Sequence, residues 1–151
     1  MIQRIQSFSL FLSAFCAVGG LLGPVGHFHR AGIPVAELGN LYLTLPGGVR
    51  DFEPWALLVL LLLSVLLPLV AIFLFKRRML QARLTVLAGL MSIGYYVVAA
   101  VFVHTYKEAL DALFTVNLMA AFPAVSLVLD YLAFRGIMQD ELIIRSLDRL
   151  R

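Results

Sequence analysis

Four long apolar runs separated by shorter polar stretches dominate the pattern of this chain, at residues 5–26, 55–75, 84–104 and 113–134. The first three runs contain no formally charged residue, and the fourth contains only Asp130. About 20 apolar residues at about 1.5 Å each cover the ~30 Å hydrocarbon core of a bilayer. The runs lack the period-two alternation of barrel strands, and backbone groups in lipid need partners within their own segment. Each run is therefore predicted to be a transmembrane helix.

The polar segments between and after the runs complete the predicted fold. In the loop 27–54, Leu41, Leu43 and Leu45 alternate with other residues before a Pro-Gly-Gly turn, which could form a small β-hairpin. The tail 135–151 is predicted to be a cytoplasmic helix with one apolar face. We therefore expect an all-α membrane protein, a single domain built as a four-transmembrane-helix bundle with a cytoplasmic C-terminal helix.

Composition supports a membrane location and excludes several other classes of protein. Of the 151 residues, 62% are hydrophobic and 14% charged, and the mean hydropathy is +0.95. A soluble domain of this size has too much surface to hide so many apolar side chains from water. The net charge of +3 comes from short basic clusters between apolar runs, a distribution that indicates membrane orientation rather than nucleic-acid binding. Cys16 is the only cysteine, so an intramolecular disulfide is excluded.

Lysine and arginine are distributed unequally between the two sets of loops. The segments before the first run, between the second and third, and after the fourth hold nine of them, and the opposite set holds three. Loops rich in lysine and arginine stay in the cytoplasm. The sequence therefore predicts that both termini are cytoplasmic and that segments 27–54 and 105–112 lie outside.

Three histidines form a candidate metal site. His27 and His29 follow the first run and His104 ends the third, so the predicted topology places all three at the outer interface. In an extended segment a His-x-His pair points both rings to one side, and a third imidazole would complete a site for zinc or copper. The alternative is that they are ordinary interfacial residues, and we expect no metal or other cofactor in the purified protein.

Asp130 is the one charged residue inside an apolar run. An unpaired carboxylate at mid-bilayer costs roughly 2.5 to 3.5 kcal/mol on insertion scales, so it needs a partner. Arg135 follows within two turns, and Arg78 and Arg83 enter from the preceding loop. An interfacial ion pair is the favoured interpretation, and a proton or cation relay is the alternative.

Milder polar groups are expected to join the third and fourth helices. Tyr95, Tyr96 and Ser92 lie at depths that match those of Asn117 and Ser126 in an antiparallel pair. Hydrogen bonds between helices in lipid contribute about 1 kcal/mol each. These residues are predicted to hold the helices together rather than to form a substrate pocket.

Gly19 and Gly23 form a Gly-x-x-x-Gly step in the first run. Small residues at this spacing let another helix approach closely, either within the chain or from another chain. The step is predicted to be a helix-packing site, and a homo-oligomer is one of the assemblies it would allow.

Both ends of the chain resemble a known family. The opening Met-Ile-Gln-Arg-Ile-Gln-Ser and the closing Asp-Glu-Leu-Ile-Ile-Arg-Ser-Leu-Asp-Arg-Leu-Arg are similar to small four-helix membrane proteins of Bacteroidetes-type bacteria, domain of unknown function 4293. The resemblance covers the whole chain in layout. It implies the inner membrane of a Gram-negative cell and supports four spans, and it supplies no activity, substrate or catalytic residue.

Three hypotheses about function follow. The preferred one is a non-enzymatic accessory subunit or scaffold that meets protein partners through its outer loop or its tail, because the chain is small and has few deep polar groups. The second is a small transporter or channel, which requires oligomerisation or a polar path through the helices. The third is a metal-binding membrane protein that uses the histidines.

Overall fold

The helices account for most of the chain. The computed structural model describes residues 2–75 and 77–148, with side chains at 7–75 and 77–143. Four helices span α1 (Ile2–Leu21), α2 (Trp55–Phe73), α3 (Arg78–Leu110) and α4 (Phe122–Asp148). They pack in cyclic order, each against the next and α4 against α1.

Among the described residues, three helical segments have the length and apolar character needed to cross a bilayer: Trp55–Phe73, Arg78–Leu110 and Leu118–Ile143. The last segment joins the 3-10 turn Leu118–Ala121 to most of α4. The described apolar part of α1, Ser7–Leu21, is shorter. These helices support a membrane protein, as the composition predicted.

The prediction of an all-α fold is wrong, because five strands in the described part of the chain form an antiparallel sheet. The strands are β1 (Gly26–Arg30), β2 (Ile33–Leu38), β3 (Leu43–Thr44), β4 (Arg50–Asp51) and β5 (Leu113–Val116). Their spatial order is β4-β3-β2-β1-β5. The expected hairpin is present as β3 paired with β4, but it is one edge of a larger sheet.

The last strand comes from a segment that was predicted to start the fourth spanning helix. Residues 113–116 pair with β1 instead, and a 3-10 turn at Leu118–Ala121 leads into α4. At the other end α4 continues without a break to Asp148, so the start of the tail prolongs this helix. Of the apolar face predicted for the tail at Ile143, Leu147 and Leu150, Ile143 is exposed, and the other two lie outside the side chains that the structure describes.

One face of the sheet packs on the helices. Phe28 and Leu38 are fully buried in the same apolar cluster as Leu57 of α2 and Tyr95 of α3. The Phe28 ring also lies 6.4 Å from that of Tyr106, centroid to centroid. The sheet therefore covers the end of the helices at which α1 finishes and α2 begins.

Glycines bring α1 against the start of α4. A Cβ added to Gly19 would lie 3.2 Å from Cγ of Phe122, and one added to Gly23 would overlap the side chain of Met119. The intervening Gly20 approaches Pro123 just as closely. The residues of the Gly-x-x-x-Gly step therefore lie at a close approach within the chain, and α1 and α4 run antiparallel along each other.

Candidate functional site

The most unusual polar group in the helices is the carboxyl of Asp130, which is 1% exposed. Ser13 of α1 donates a hydrogen bond from Oγ to Oδ1 of Asp130, at 2.6 Å. The Ser13 hydroxyl also lies 3.1 Å from the hydroxyl of Ser126, one turn before Asp130 on α4. The second carboxyl oxygen, Oδ2, is buried and has no hydrogen-bond partner among the described residues.

The ion pair predicted for Asp130 is not found among the described side chains. None of their lysine or arginine nitrogens lies within 4.0 Å of its carboxyl group. Arg78 lies instead 3.8 Å from Asp140, farther along α4. Asp130 is therefore bound by Ser13, which the sequence pattern did not single out, and not by the predicted arginine.

A groove between α3 and α4 passes Asp130. Its volume is about 320 Å³, and its lining is almost wholly apolar, with Leu90, Ile93, Leu127 and Phe134 among the contributors. Leu90 and Ile93 are themselves exposed within a helix apolar enough to cross a bilayer. The groove therefore opens on the exposed apolar surface of α3, and Asp130 is the one acidic residue among those that line it.

The buried serines join pairs of helices other than those expected. Ser92 of α3 lies 2.6 Å from Ser64 of α2, hydroxyl to hydroxyl, whereas Ser126 pairs with Ser13 as described above. Tyr96 donates to the carbonyl of Ala120 at the start of the fourth helical segment, at 2.6 Å. One tyrosine of the predicted pair thus reaches that segment, while Ser92 and Ser126 turn to different neighbours.

Asn40 is a second residue that the sequence did not single out. Its amide donates to the carbonyls of Gly20 and Gly23, at 2.9 and 3.1 Å, and so satisfies acceptors at the end of α1. Its Oδ1 accepts a hydrogen bond from the hydroxyl of Tyr95, at 2.9 Å. A buried side chain of the β2-β3 connection is thereby tied to two helices. In the sequence, only its place beside Gly39 and between apolar residues could have indicated that Asn40 is buried.

Asn117 has a local structural role. It precedes the 3-10 turn, and its Oδ1 accepts a hydrogen bond from the backbone N–H of Met119, at 3.1 Å. Its own N–H donates to the carbonyl of Val25, just before β1. The predicted contact between Asn117 and the tyrosines is replaced by this capping arrangement.

The face of the sheet turned away from the helices is polar. Strand register aligns one residue from each strand in a row across it, in the order Thr115, His27, Glu37, Thr44 and Arg50. Nδ1 of His27 lies 3.8 Å from the Glu37 carboxylate. Successive residues of a strand face opposite sides of the sheet, so this row lies on the face opposite to the buried Phe28 and Leu38.

The three candidate metal-binding histidines are only partly brought together. The rings of His27 and His29 are 6.3 Å apart, centroid to centroid. His29 and His104 line a common cavity of about 480 Å³ with Lys107, Glu108 and others. No group of three or more histidine, cysteine or acidic side chains suited to hold a metal ion occurs in the described part of the chain.

The comparison with protein families decides the relationship that the chain ends suggested. The family described as a domain of unknown function (DUF4293) matches residues 2–150. The chain belongs to this family. The match covers all four helices and all five strands, so the sheet lies within the family domain and is no appendage to it. The comparison with curated proteins finds no match.

Proposed function

We propose that this DUF4293 protein is a non-enzymatic accessory subunit of the membrane whose sheet docks a strand of a protein partner. The observation that carries the proposal is the edge of the sheet at β5. This strand pairs only with β1, so its other edge is open in the part of the chain that is described. An extended peptide can add to such an edge through backbone hydrogen bonds.

The side chains around this edge favour an apolar partner strand. Leu113 and Val116 are 71% and 67% exposed, and β5 itself carries no charge. Leu113 also lines the cavity that His29 and His104 share. One side chain of a partner strand paired with β5 could therefore enter this cavity, which is lined by side chains of both charges.

A rigid base for such docking supports the proposal. Asn40 ties the sheet to α1 and to Tyr95 of α3, and Phe28 packs on Tyr106. Within the described segments, the serine hydroxyls buried between helices pair with one another or with Asp130. This arrangement favours a scaffold over the polar path that a transporter or channel would need.

The topology we propose places the sheet outside the cytoplasm. It rests on the nine lysines and arginines of one set of loops against three in the other. Since α1 lies antiparallel along α4, from Gly19 beside Phe122 to Ser13 beside Asp130, we propose that α1 is a fourth span. Both termini are then cytoplasmic, and the resemblance at the chain ends supports a bacterial inner membrane.

Site-specific photo-crosslinking in intact cells tests the docking role. A photoreactive phenylalanine placed at Leu113 or Val116 should yield the same protein adduct, identified by mass spectrometry. The same residue at Val49 is the control, since Val49 is 61% exposed in the turn between β3 and β4, at the opposite end of the strand order. Adding Val116→Lys to the Leu113 probe should abolish the adduct, because an edge charge blocks strand addition.

Three outcomes would contradict the proposal. The first is the absence of any protein adduct from Leu113 and Val116. The second is the same adduct from Val49, which would show that the contact is unrelated to the edge. The third is an adduct between two copies of this chain, which would assign the edge to homo-oligomerisation.

A further inference from the structure

We propose that the groove between α3 and α4 binds a lipophilic cation, an amine or onium compound with an apolar body, with Asp130 as its counter-ion. This site is separate from the sheet and is independent of the docking role. It rests on the coincidence of an apolar groove with a buried carboxyl group that lacks a charged partner.

The carboxyl group is held in place but only half satisfied. Ser13 approaches Asp130 from α1 and occupies Oδ1, while Oδ2 has no partner among the described residues. Asp130 also belongs to the wall of the groove. A buried carboxyl group without a charged partner is costly to ionise, and a cation beside it would offset that cost.

The chemistry of the groove defines the class of ligand. Its walls are aliphatic and aromatic, and at about 320 Å³ it has the size of pockets that take drug-sized molecules. A positive charge on such a molecule would complement Asp130, and the rings of Tyr131 and Phe134 can add cation–π attraction. A neutral acyl chain would fill the groove but leave Oδ2 unpaired.

A bare metal ion fits the groove poorly. Hard cations take several oxygen ligands, and the described lining offers few. The hydroxyl of Thr85 already donates to the carbonyl of Gln81, at 2.9 Å, and Tyr131 is the only other described lining residue with a polar side chain besides Asp130. The apolar surface, not additional oxygens, must supply most of the binding free energy.

Binding of tetraphenylphosphonium to the purified full-length protein in lipid nanodiscs tests the inference. Tetraphenylborate has nearly the same shape and the opposite charge, so it separates charge recognition from partition into lipid. Isothermal titration calorimetry should show saturable binding of the phosphonium at one site per chain and no saturable binding of the borate. Asp130→Asn should weaken the phosphonium at least about tenfold, because a desolvated charge pair is lost.

Two further variants make the result decisive. Ile93→Trp should also abolish binding by filling the groove, and Ile93 is 47% exposed, so the larger ring can be accommodated without disturbing the core. Asp111→Asn is the matched control, since it removes a carboxylate that is 88% exposed and far along the chain from the groove. Its affinity for the phosphonium should equal that of the wild type.

The inference is overturned if Asp130→Asn folds and binds the phosphonium as tightly as the wild type, or if the borate binds equally well. Equal binding of the borate would show that the groove takes apolar groups, such as an acyl chain, without regard to charge. If Asp130→Asn does not fold, Ile93→Trp decides: retained affinity overturns the site, and lost affinity with an unchanged melting temperature supports it.

Discussion

The hydroxyl of Ser13 donates to the carboxyl of Asp130 across 117 positions of sequence, at 2.6 Å, and both residues are buried. The bond joins α1 to α4 farther from the sheet than the close contacts that Gly19 and Gly20 make with the start of α4. It gives the buried acid its one described hydrogen-bond donor, which makes this pair the polar centre of the α1–α4 contact.

Removal of this donor should destabilise the protein. Ser13→Ala leaves both carboxyl oxygens of Asp130 without a described donor, so we expect the free energy of unfolding to fall by about 1 to 3 kcal/mol. The double variant Ser13→Ala, Asp130→Leu replaces both partners by apolar groups and should recover most of the loss. Denaturation of the purified protein in mild detergent measures both. Losses that simply add would contradict the coupling of the two residues.

Asn40 should be more important for stability than its position in a loop suggests. Asn40→Ala leaves the carbonyls of Gly20 and Gly23 and the hydroxyl of Tyr95 without this partner, and we expect a loss of roughly 2 to 4 kcal/mol for groups of this kind. Tyr95→Phe removes one hydroxyl and should cost only about 1 kcal/mol. Melting temperatures of the two variants establish the order. A larger effect from Tyr95→Phe would show that the asparagine does not hold the end of α1.

The tight approach of α1 to α4 can be tested with two alanines. In Gly20→Ala the new Cβ would lie 2.8 Å from Cγ of Pro123, a rigid ring, so we expect about 1 to 3 kcal/mol of destabilisation from overpacking. In Gly94→Ala the nearest atom, on Leu60, is 3.8 Å away, and higher helix propensity should stabilise α3 by up to about 1 kcal/mol. Equal effects in thermal unfolding would contradict this packing.

Cysteine labelling tests the topology that we propose. In a Cys16→Ser background, Val49→Cys places a thiol in the turn of the β3-β4 hairpin, and Gln139→Cys places one on an exposed position of α4. A membrane-impermeant maleimide should label Val49→Cys in intact spheroplasts, and Gln139→Cys only after permeabilisation. The reverse pattern would invert the orientation predicted from the lysines and arginines.

The histidines should not retain a metal ion. His29 and His104 share a cavity, but no group of three suitable ligands occurs in the described part of the chain, and stable zinc sites use at least three protein ligands. Protein purified without a histidine tag should contain far less than one zinc or copper per chain by elemental analysis. A ratio near one that falls in His29→Ala and His104→Ala would restore the metal-binding hypothesis.

The pattern along the chain predicted where the four long helices lie, and its bounds were closest for α2. The residues from Trp55 to Phe73 contain no charge and the structure makes them one helix, within two residues of the predicted end. The glycines of α1 were similarly informative, because a position without a side chain marks a close approach whatever the partner is. The length of an uncharged run and the spacing of glycines are properties of residues that are close in sequence, so both can be read without the tertiary structure.

The sheet could not be predicted from local pattern. Residues 113–116 are apolar, and only the pairing of Phe114 with Phe28 turns them from the expected helix into a strand. A run of four apolar residues fits either structure, and the choice depends on a partner more than 80 positions away.

The choice of polar partners was likewise made by the tertiary structure. The sequence determined that Ser92, Ser126 and Asp130 lie in apolar helices and need partners. Successive helical residues are rotated by about 100°, so small rotations of whole helices decide which neighbour each one meets. The packing of α1 on α4 brings Ser13 into contact with Ser126 and Asp130. The packing of α2 on α3 brings Ser64 into contact with Ser92.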